Sequence, residues 1–595
     1  IMDLLKELTH RGKLVFVVIH QPSSEIFKMF DSLLVLDTGG YPIYYGNPVE
    51  AVIYFKKASE QINHGQPTCP ECGNINPEQI FTIIETRVLD EFGNPTTKRK
   101  ISPQQWHAVF LGREMSAIAL ETHSGKGASP SGLKTPGWLR QFGVFWKRDL
   151  LAKLGNKQYL GINILQAPLL ATILAVFVRY SEGEDGYLFG KNDNIPAFFF
   201  MSIVVALFTG MTMSAEEIFR DRKILKRENF LNLSRSGYLT SKVSILFGFS
   251  ALQMASFVLI SALVLSIPGL YLEYWLLIFS LSCFAIMLGL NVSATFNSAV
   301  TIYILIPLLL IPQLILSGTV VKFDQLNPSF TSPKVVPIAA DLMASRWAYE
   351  GMMVKFFQDN DYQQAFFEVE QQASEATYLK DYWLPKMEDN TAYCLRHISD
   401  TGDSLQKAYV SHLQLLQNEV EVQCRRSPKI VPGCREGLAS GQFSPLVAEC
   451  LQTWYGKLKE TYVAVASQIR AKHDAIDQQM AAKFADPSAY ARYKQQQHNE
   501  AIDKLVRNAD SGTRLQVQGN EIVRRYEPIY NPQLSGGTLG YRTHFYAAQK
   551  QIFGVKLDTF TFNILVIWFM TACLYGCLHF EVFRKMLAWL ERRRK

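Results

Sequence analysis

The sequence has no block of lysine and arginine interleaved with aromatics, so it carries no sign of a nucleic-acid groove. It has no G-x-x-x-x-G-K-[ST] loop. Gly12-Lys13, Gly125-Lys126, Gly190-Lys191 and Gly456-Lys457 are each followed by a residue other than serine or threonine. The backbone cradle that such a loop offers to nucleotide phosphates is therefore missing. No Ser/His/Asp or Cys/His constellation and no carboxylate pair points to hydrolytic chemistry. No low-complexity tract or exact internal repeat is present. No cleavable leader is visible either, because residues 1–13 are charged and amphipathic. Charged residues make up only 19% of the chain, and they are distributed unevenly.

That unevenness is the informative feature. Long apolar runs alternate with charged stretches, as in membrane proteins. Six runs approach the roughly 20 apolar residues a helix needs to cross a bilayer: about 160–180, 195–214, 243–267, 274–296, 299–318 and 559–580. Lys147, Arg148, Lys153 and Lys157 precede the first. The first connecting loop is acidic, with Glu182, Glu184 and Asp185. The second is basic, with Arg220, Arg222, Lys223, Lys226, Arg227 and Arg235. The tail ends Arg592-Arg593-Arg594-Lys595. By the positive-inside rule both termini are expected in the cytoplasm of a plasma (inner) membrane protein. Residues 319–557 are then expected outside. Residues 136–159 read as an amphipathic helix on the cytoplasmic membrane surface.

The expected fold class is mainly α. Residues 1–58 form an α/β piece, 59–135 a connector, and 136–318 the amphipathic helix with five spans. Residues 319–557 form a mostly helical outer domain, and 558–595 the last span and basic tail. Residues 14–19 (Leu-Val-Phe-Val-Val-Ile) read as a buried parallel strand, and residues 32–36 as a second. Two strands and a few helices do not close a core alone. In the connector one helix is expected over about 77–90. Cys69 and Cys72 could begin a metal knuckle, but zinc wants four ligands and no second pair follows, so no metal site is assigned. In the outer domain helices are expected over 361–387, 404–425 and 445–508, with short strands within 513–545. Cys394, Cys424, Cys434 and Cys450 lie there, and on an oxidising side they permit two disulfides. Phe199 and Phe208 in the second apolar run and Leu314 and Leu316 in the fifth are candidates to line an apolar pathway. Asn291, Asn297 and Gln313 are polar within or beside spans and could bond between helices or mark that pathway.

Several short motifs converge. His20 follows the first strand, where open α/β sheets bind ligands. Phe30-Asp31-Ser32-Leu33-Leu34-Val35-Leu36, Tyr44-Tyr45-Gly46 and Asn76-Pro77-Glu78-Gln79-Ile80-Phe81 come next. Glu217-Ile218-Phe219 through Lys226-Arg227-Glu228 lies between spans two and three, and Ser345-Arg346-Trp347-Ala348-Tyr349-Glu350 after span five. Together these resemble G-type ABC half-transporters, the White and pleiotropic-drug group, over about 1–350 and 555–595. The resemblance implies that residues 1–58 are the end of a P-loop ATPase domain, with His20 as the switch histidine of its H-loop, contacting ATP and serving catalysis. It implies a coupling helix carrying Glu217, Arg227 and Glu228, a homodimer, and ATP with Mg2+ as cofactors. It also implies an N-terminal truncation, with Ile1 just past the D-loop, so that this stretch alone is not expected to hydrolyse ATP. Leu534-Ser535-Gly536-Gly537 spells the family signature in the wrong place and reads as a turn. The function expected is the permease part of an ATP-driven exporter of a hydrophobic or amphipathic compound. The alternative is a membrane receptor or scaffold with a degenerate ATPase remnant.

Overall fold

The structure is a computed structural model. It describes residues 2–10, 12–20, 22–60, 76–117, 136–180, 186–228, 233–327, 334–399, 403–439, 443–532 and 540–594. The chain divides into two compact units, Ile1–Leu133 and Lys134–Lys595. Cys69, Cys72 and the 534–537 turn lie outside the described residues.

In the first unit, α1 (Met2–His10) and α2 (Ser24–Lys28) precede a hairpin of β1 (Leu33–Asp37) and β2 (Tyr41–Gly46). Ser23 caps α2 by accepting from the Ile26 amide. The hairpin turns through Gly39 and Gly40, whose φ angles of 90° and 78° favour glycine. The Asn47 side chain accepts from the Val49 amide and starts α3 (Pro48–Ala58). Then come α4 (Glu78–Ile84), a hairpin of β3 (Arg87–Leu89) and β4 (Pro95–Arg99), and α5 (Pro103–Ala117). Ile43, Tyr44, Val52, Phe55, Ile80 and Trp106 form the core.

Three expectations need correction here. Residues 14–19 pair with no strand, and Leu14, Phe16 and Val18 are 84%, 87% and 91% exposed. A parallel strand needs hydrogen-bonded neighbours and cover on both faces, and the described residues supply neither. In β1 only alternate residues are covered, so Leu34 and Leu36 are exposed. The helix expected over 77–90 stops at Ile84. Asp90 accepts from the amides of Phe92 and Asn94, and this turn folds the chain into the second hairpin instead. Helix α5 was not expected, although its Trp106 completes the core against Phe55.

The second unit is built on apolar helices. α6 (Trp138–Gly155) ends at Asn156, whose side chain accepts from the Tyr159 amide and starts α7 (Lys157–Val178). α8 (Ile195–Ser214) is separated from α9 (Glu217–Glu228) by two residues. α10 (Arg235–Leu265), α11 (Tyr271–Thr295) and α12 (Ala299–Ile315) follow, and α22 (Thr559–His579) and α23 (Val582–Arg594) end the chain's described part. Among the described residues, five helices are long and apolar enough to cross a membrane: α7, α8 with α9, α10, α11 and α22. α12 is apolar but has 17 residues, about 25 Å at the usual rise, short of the sixth full span expected. α11 is the most enclosed and packs against α8, α10 and α22. A Cβ on Gly210 would stand 2.7 Å from the Ser282 carbonyl oxygen, and one on Gly289 would stand 2.1 Å from Ser214 Oγ. Glycine at these two points lets α8 and α11 approach backbone to backbone.

Between α12 and α22 lies a large insertion. The chain first returns to the bundle, which sequence reasoning did not anticipate. After α13 (Ile338–Asp341), α14 (Ala344–Gln358) is buried almost throughout and packs on α22, α11 and α8. α15 (Gln363–Tyr378) passes through a π turn into α16 (Leu384–Arg396). α17 (Asp403–Arg426), α18 (Arg435–Ala439) and α19 (Pro445–Ala481) build a second core around Trp383, Leu416, Trp454 and Leu458. The helix expected over 445–508 is three helices. Asp486 and Asn499 cap α20 (Pro487–Gln497) and α21 (Glu500–Val506). Two hairpins follow, β5 (Leu515–Gln518) with β6 (Glu521–Arg524) and β7 (Gln549–Ile552) with β8 (Val555–Asp558). Cys434 and Cys450 are disulfide-bonded. Cys394 and Cys424 are not. They sit as buried free thiols on α16 and α17, packed as small apolar side chains, so one disulfide forms rather than two.

Candidate coupling site at the root of helix α9

Glu217 opens α9 and is 2% exposed. A buried carboxylate must find charged or hydrogen-bonding partners. Its Oε2 lies 2.6 Å from Lys153 Nζ of α6 and 3.0 Å from Lys242 Nζ of α10. Lys153 also reaches Asp149 at 3.1 Å, one turn back on α6. Lys242 reaches Asp149 and, at 2.8 Å, Asp221 of α9. The Tyr238 hydroxyl donates to Asp221 at 3.0 Å. Three helices thus meet on one cluster of two ammonium groups and three carboxylates. A small cavity lined by Asp149, Lys153, Asn156, Tyr159, Arg220 and Asp221 adjoins it.

A fourth helix joins from the other side. Ser293 Oγ of α11 accepts from the Ile218 and Phe219 amides at 3.1 and 3.0 Å, satisfying donors that a helix start leaves open. Arg222 donates to the Ala294 carbonyl at 2.8 Å and to Asn297 Oδ1. α9 is therefore fastened at its base to α6, α10 and α11, while its far end carries exposed cations. Arg227 and Glu228 belong to the last turn of α9, and their side chains lie outside the described residues.

The other candidates separate. Phe199 is fully buried, with ring contacts to Phe198, Tyr274 and Phe356. Phe208 is exposed on α8, and Leu314 and Leu316 are half-buried at the end of α12. Asn291 donates to the Leu574 carbonyl of α22, and Gln313 bonds Ser345 of α14 through both its side chain and its carbonyl. These polar groups, with Asn297, tie segments together. His20 is exposed at the end of the unpaired 14–19 segment. This sequence holds no phosphate-binding loop to stand beside it.

Sequence reasoning found Glu217 but missed Lys153, Lys242, Asp149 and Asp221. It also missed a second buried cluster. Glu350 of α14 lies 2.5 Å from Lys550 Nζ of β7 and 3.3 Å from Arg346 Nη1, and Asn563 Nδ2 of α22 donates to it at 3.0 Å. Asp341 stands 3.9 Å from Arg346 and 3.5 Å from Arg542. The usable signal was a lysine at the edge of an apolar run, at 242, and a charged pair four apart in an otherwise apolar helix, at 346 and 350.

Residues 140–357 match the family model described as ABC-2 type transporter. The chain is similar to ABC transporter G family member 2 of Dictyostelium discoideum, 26% identical over 38% of this chain and 17% of that protein. It is similar to ABC transporter G family member 30 of Arabidopsis thaliana, 25% identical over 65% of this chain and 27% of that protein. It is similar to Protein white of Drosophila melanogaster, 34% identical over 15% of this chain and 12% of that protein. The matched stretches thus span about a quarter or less of the length of these relatives. The apolar helices make the chain a multi-pass membrane protein. Its bundle matches an ABC-2 type transporter membrane domain, and the chain that carries it is similar to ABC transporters of the G family.

Proposed function

We propose that this chain is the permease part of an ATP-driven exporter of a hydrophobic or amphipathic compound, with the driving movement entering the bundle through α9. The observation that carries the reading is the buried Glu217–Lys153–Lys242 cluster, which fastens α9 to neighbouring helices inside the stretch that matches the transporter family. Charged residues on the free part of α9 suit a polar docking surface for a moving domain. The termini then lie in the cytoplasm and the insertion outside. Two copies pair through the apolar face that α12 leaves exposed at Val300, Ile304, Leu308 and Ile311.

Inside-out vesicles holding the whole gene product test the reading. ATP-dependent accumulation of rhodamine 123 is expected above that of vesicles without the protein. Glu217→Gln, matched for monodisperse protein by size exclusion, is expected to lower it at least tenfold. Accumulation equal to the empty control overturns the export reading and leaves the receptor reading in its place.

A further inference from the structure

A cavity lies where the insertion meets the end of the bundle, lined partly by residues inside the transporter match (318–336) and partly by residues beyond it (504–546). About 930 Å³ of empty space, counted to its open mouth, lies between the segment leaving α12 and the segment entering β7. Its wall is divided by chemistry. Leu505, Phe545 and Tyr546 belong to, or pack against, the apolar core of the bundle. Phe323 stands edge-on to Phe545, with ring centroids 4.9 Å apart. Gly318 makes this floor possible. Its φ is 83°, and a Cβ there would stand 2.7 Å from the Phe323 ring and 2.9 Å from Phe545.

The charged part of the wall carries more cations than carboxylates. Lys322, Lys504, Arg524 and Arg525 line it, against Asp324 and Asp510. Arg525 is taken by Asp324 at 2.8 Å. Arg524 is buried, and its guanidinium donates to Ser374 Oγ at 2.6 Å and the Tyr526 carbonyl at 2.8 Å, neither of which carries charge. Lys322 and Lys504 make no ion pair among the described residues. His544, also in the wall, is pulled down to about 4, chiefly by burial, and stays neutral at pH 7. The cavity thus offers an apolar aromatic floor and a net positive rim, in which Lys322 and Lys504 make no ion pair among the described residues. A ligand of the opposite pattern fits it: an apolar body to displace water from the rings, and one anionic head to meet the cations.

We propose that this cavity binds an amphipathic organic anion, with its alkyl or ring body on Phe323, Phe545 and Leu505 and its carboxylate, sulfate or phosphate head at Lys322 and Lys504. The site does not depend on the export reading, since binding can be measured without transport. A bilayer lipid and a free fatty-acid-like solute share this chemistry.

The test uses the full chain in nanodiscs of phosphatidylcholine, with 11-(dansylamino)undecanoic acid as probe and empty nanodiscs subtracted. Saturable fluorescence is expected for the acid, with at least tenfold weaker binding of its neutral amide. The exposed lysines allow substitution without disturbing the core, and Lys322→Glu with Lys504→Glu is expected to weaken the acid at least tenfold. Asp510→Asn, which removes a competing carboxylate, is expected to tighten it about twofold to threefold. Displacement of the probe when phosphatidylglycerol enters the nanodisc assigns the site to a lipid head. Its failure to displace assigns the site to a free amphiphile. Equal binding of acid and amide, or binding untouched by the double lysine substitution, overturns the proposal.

Discussion

Two buried charge clusters sit in the second unit, and their imbalances run in opposite directions. At the root of α9, Lys153 and Lys242 face Asp149, Glu217 and Asp221. Where the insertion joins the bundle, Arg346, Arg542 and Lys550 face Glu350 and Asp341. In the first cluster each lysine has at least two carboxylates, so losing one leaves cover. In the second, Glu350 serves two cations and an amide together, and no other carboxylate reaches Lys550 within ion-pair distance among the described residues. Redundancy suits a joint that must survive being pushed. A single shared carboxylate suits a joint that stays shut.

In the second cluster burial and counter-charge oppose each other at Glu350, Lys550 and Asp341. Burial pushes the Glu350 carboxyl up, but Arg346 and Lys550 outweigh it and hold it below the usual range. Burial, aided by Arg346, pulls the Lys550 ammonium down to about 7 despite its contact with Glu350. Burial likewise raises Asp341, against Arg346 and Arg542.

The sharpest way to break the comparison is Glu350→Gln. It strands Arg346 and Lys550 without their main counter-charge, and about 3–5 kcal/mol of stability should be lost. Thermal unfolding of the purified protein in detergent reads this directly. Adding Lys550→Met should recover part of it, and no recovery would mean that the pair is not what holds this joint. Glu217→Gln should cost less, about 2–3 kcal/mol, because Asp149 and Asp221 still face Lys242. A larger loss than for Glu350→Gln would reverse the argument about redundancy.

Third in size is a pH effect confined to the second joint. Lys550 has its ordinary value of 10.5 when unfolded and about 7 when folded. Between those values the unfolded chain binds more protons, so stability rises with pH; below about 7 the cost of a buried charge is fully present. The melting temperature should therefore climb from pH 7 to 9 in the wild type and stay flatter in Lys550→Met. Parallel curves would remove Lys550 from the account. The smallest effect expected is for Ser293→Ala, which frees the Ile218 and Phe219 amides at the start of α9 and should cost about 1 kcal/mol. Melting curves of this variant and the wild type would resolve it, and an unchanged curve would remove the Ser293 hydroxyl from the anchor of α9.

How far the sequence reaches differs by region for physical reasons. The apolar helices follow from run length alone, because a bilayer demands it, and caps such as Ser23, Asn47 and Asn156 announce themselves locally. Strand pairing is not local, and the 14–19 run is apolar and β-rich yet pairs with no strand among the described residues. α14 was placed with the outer domain by the span count; its burial depends on Arg346 and Glu350 neutralising each other with Lys550 from 200 residues away. In the candidate site Glu217 came from a motif, but Lys153 and Lys242 become its partners only once three helices have folded together. Phe199 is a pathway candidate in the sequence, but its enclosure by rings from α11 and α14 appears only once those helices pack.

Helix α19 has 37 residues, about 55 Å at the usual rise, and lies against α15 and α16. Cys434 and Cys450 staple its first turns to the preceding chain. In single-particle images a detergent belt blurs whatever it surrounds, and particles are aligned on what projects beyond it. A rod of that length, set among helices outside the apolar spans, is a built-in fiducial. It would mark one face of each particle and allow the bundle to be oriented without an added antibody fragment.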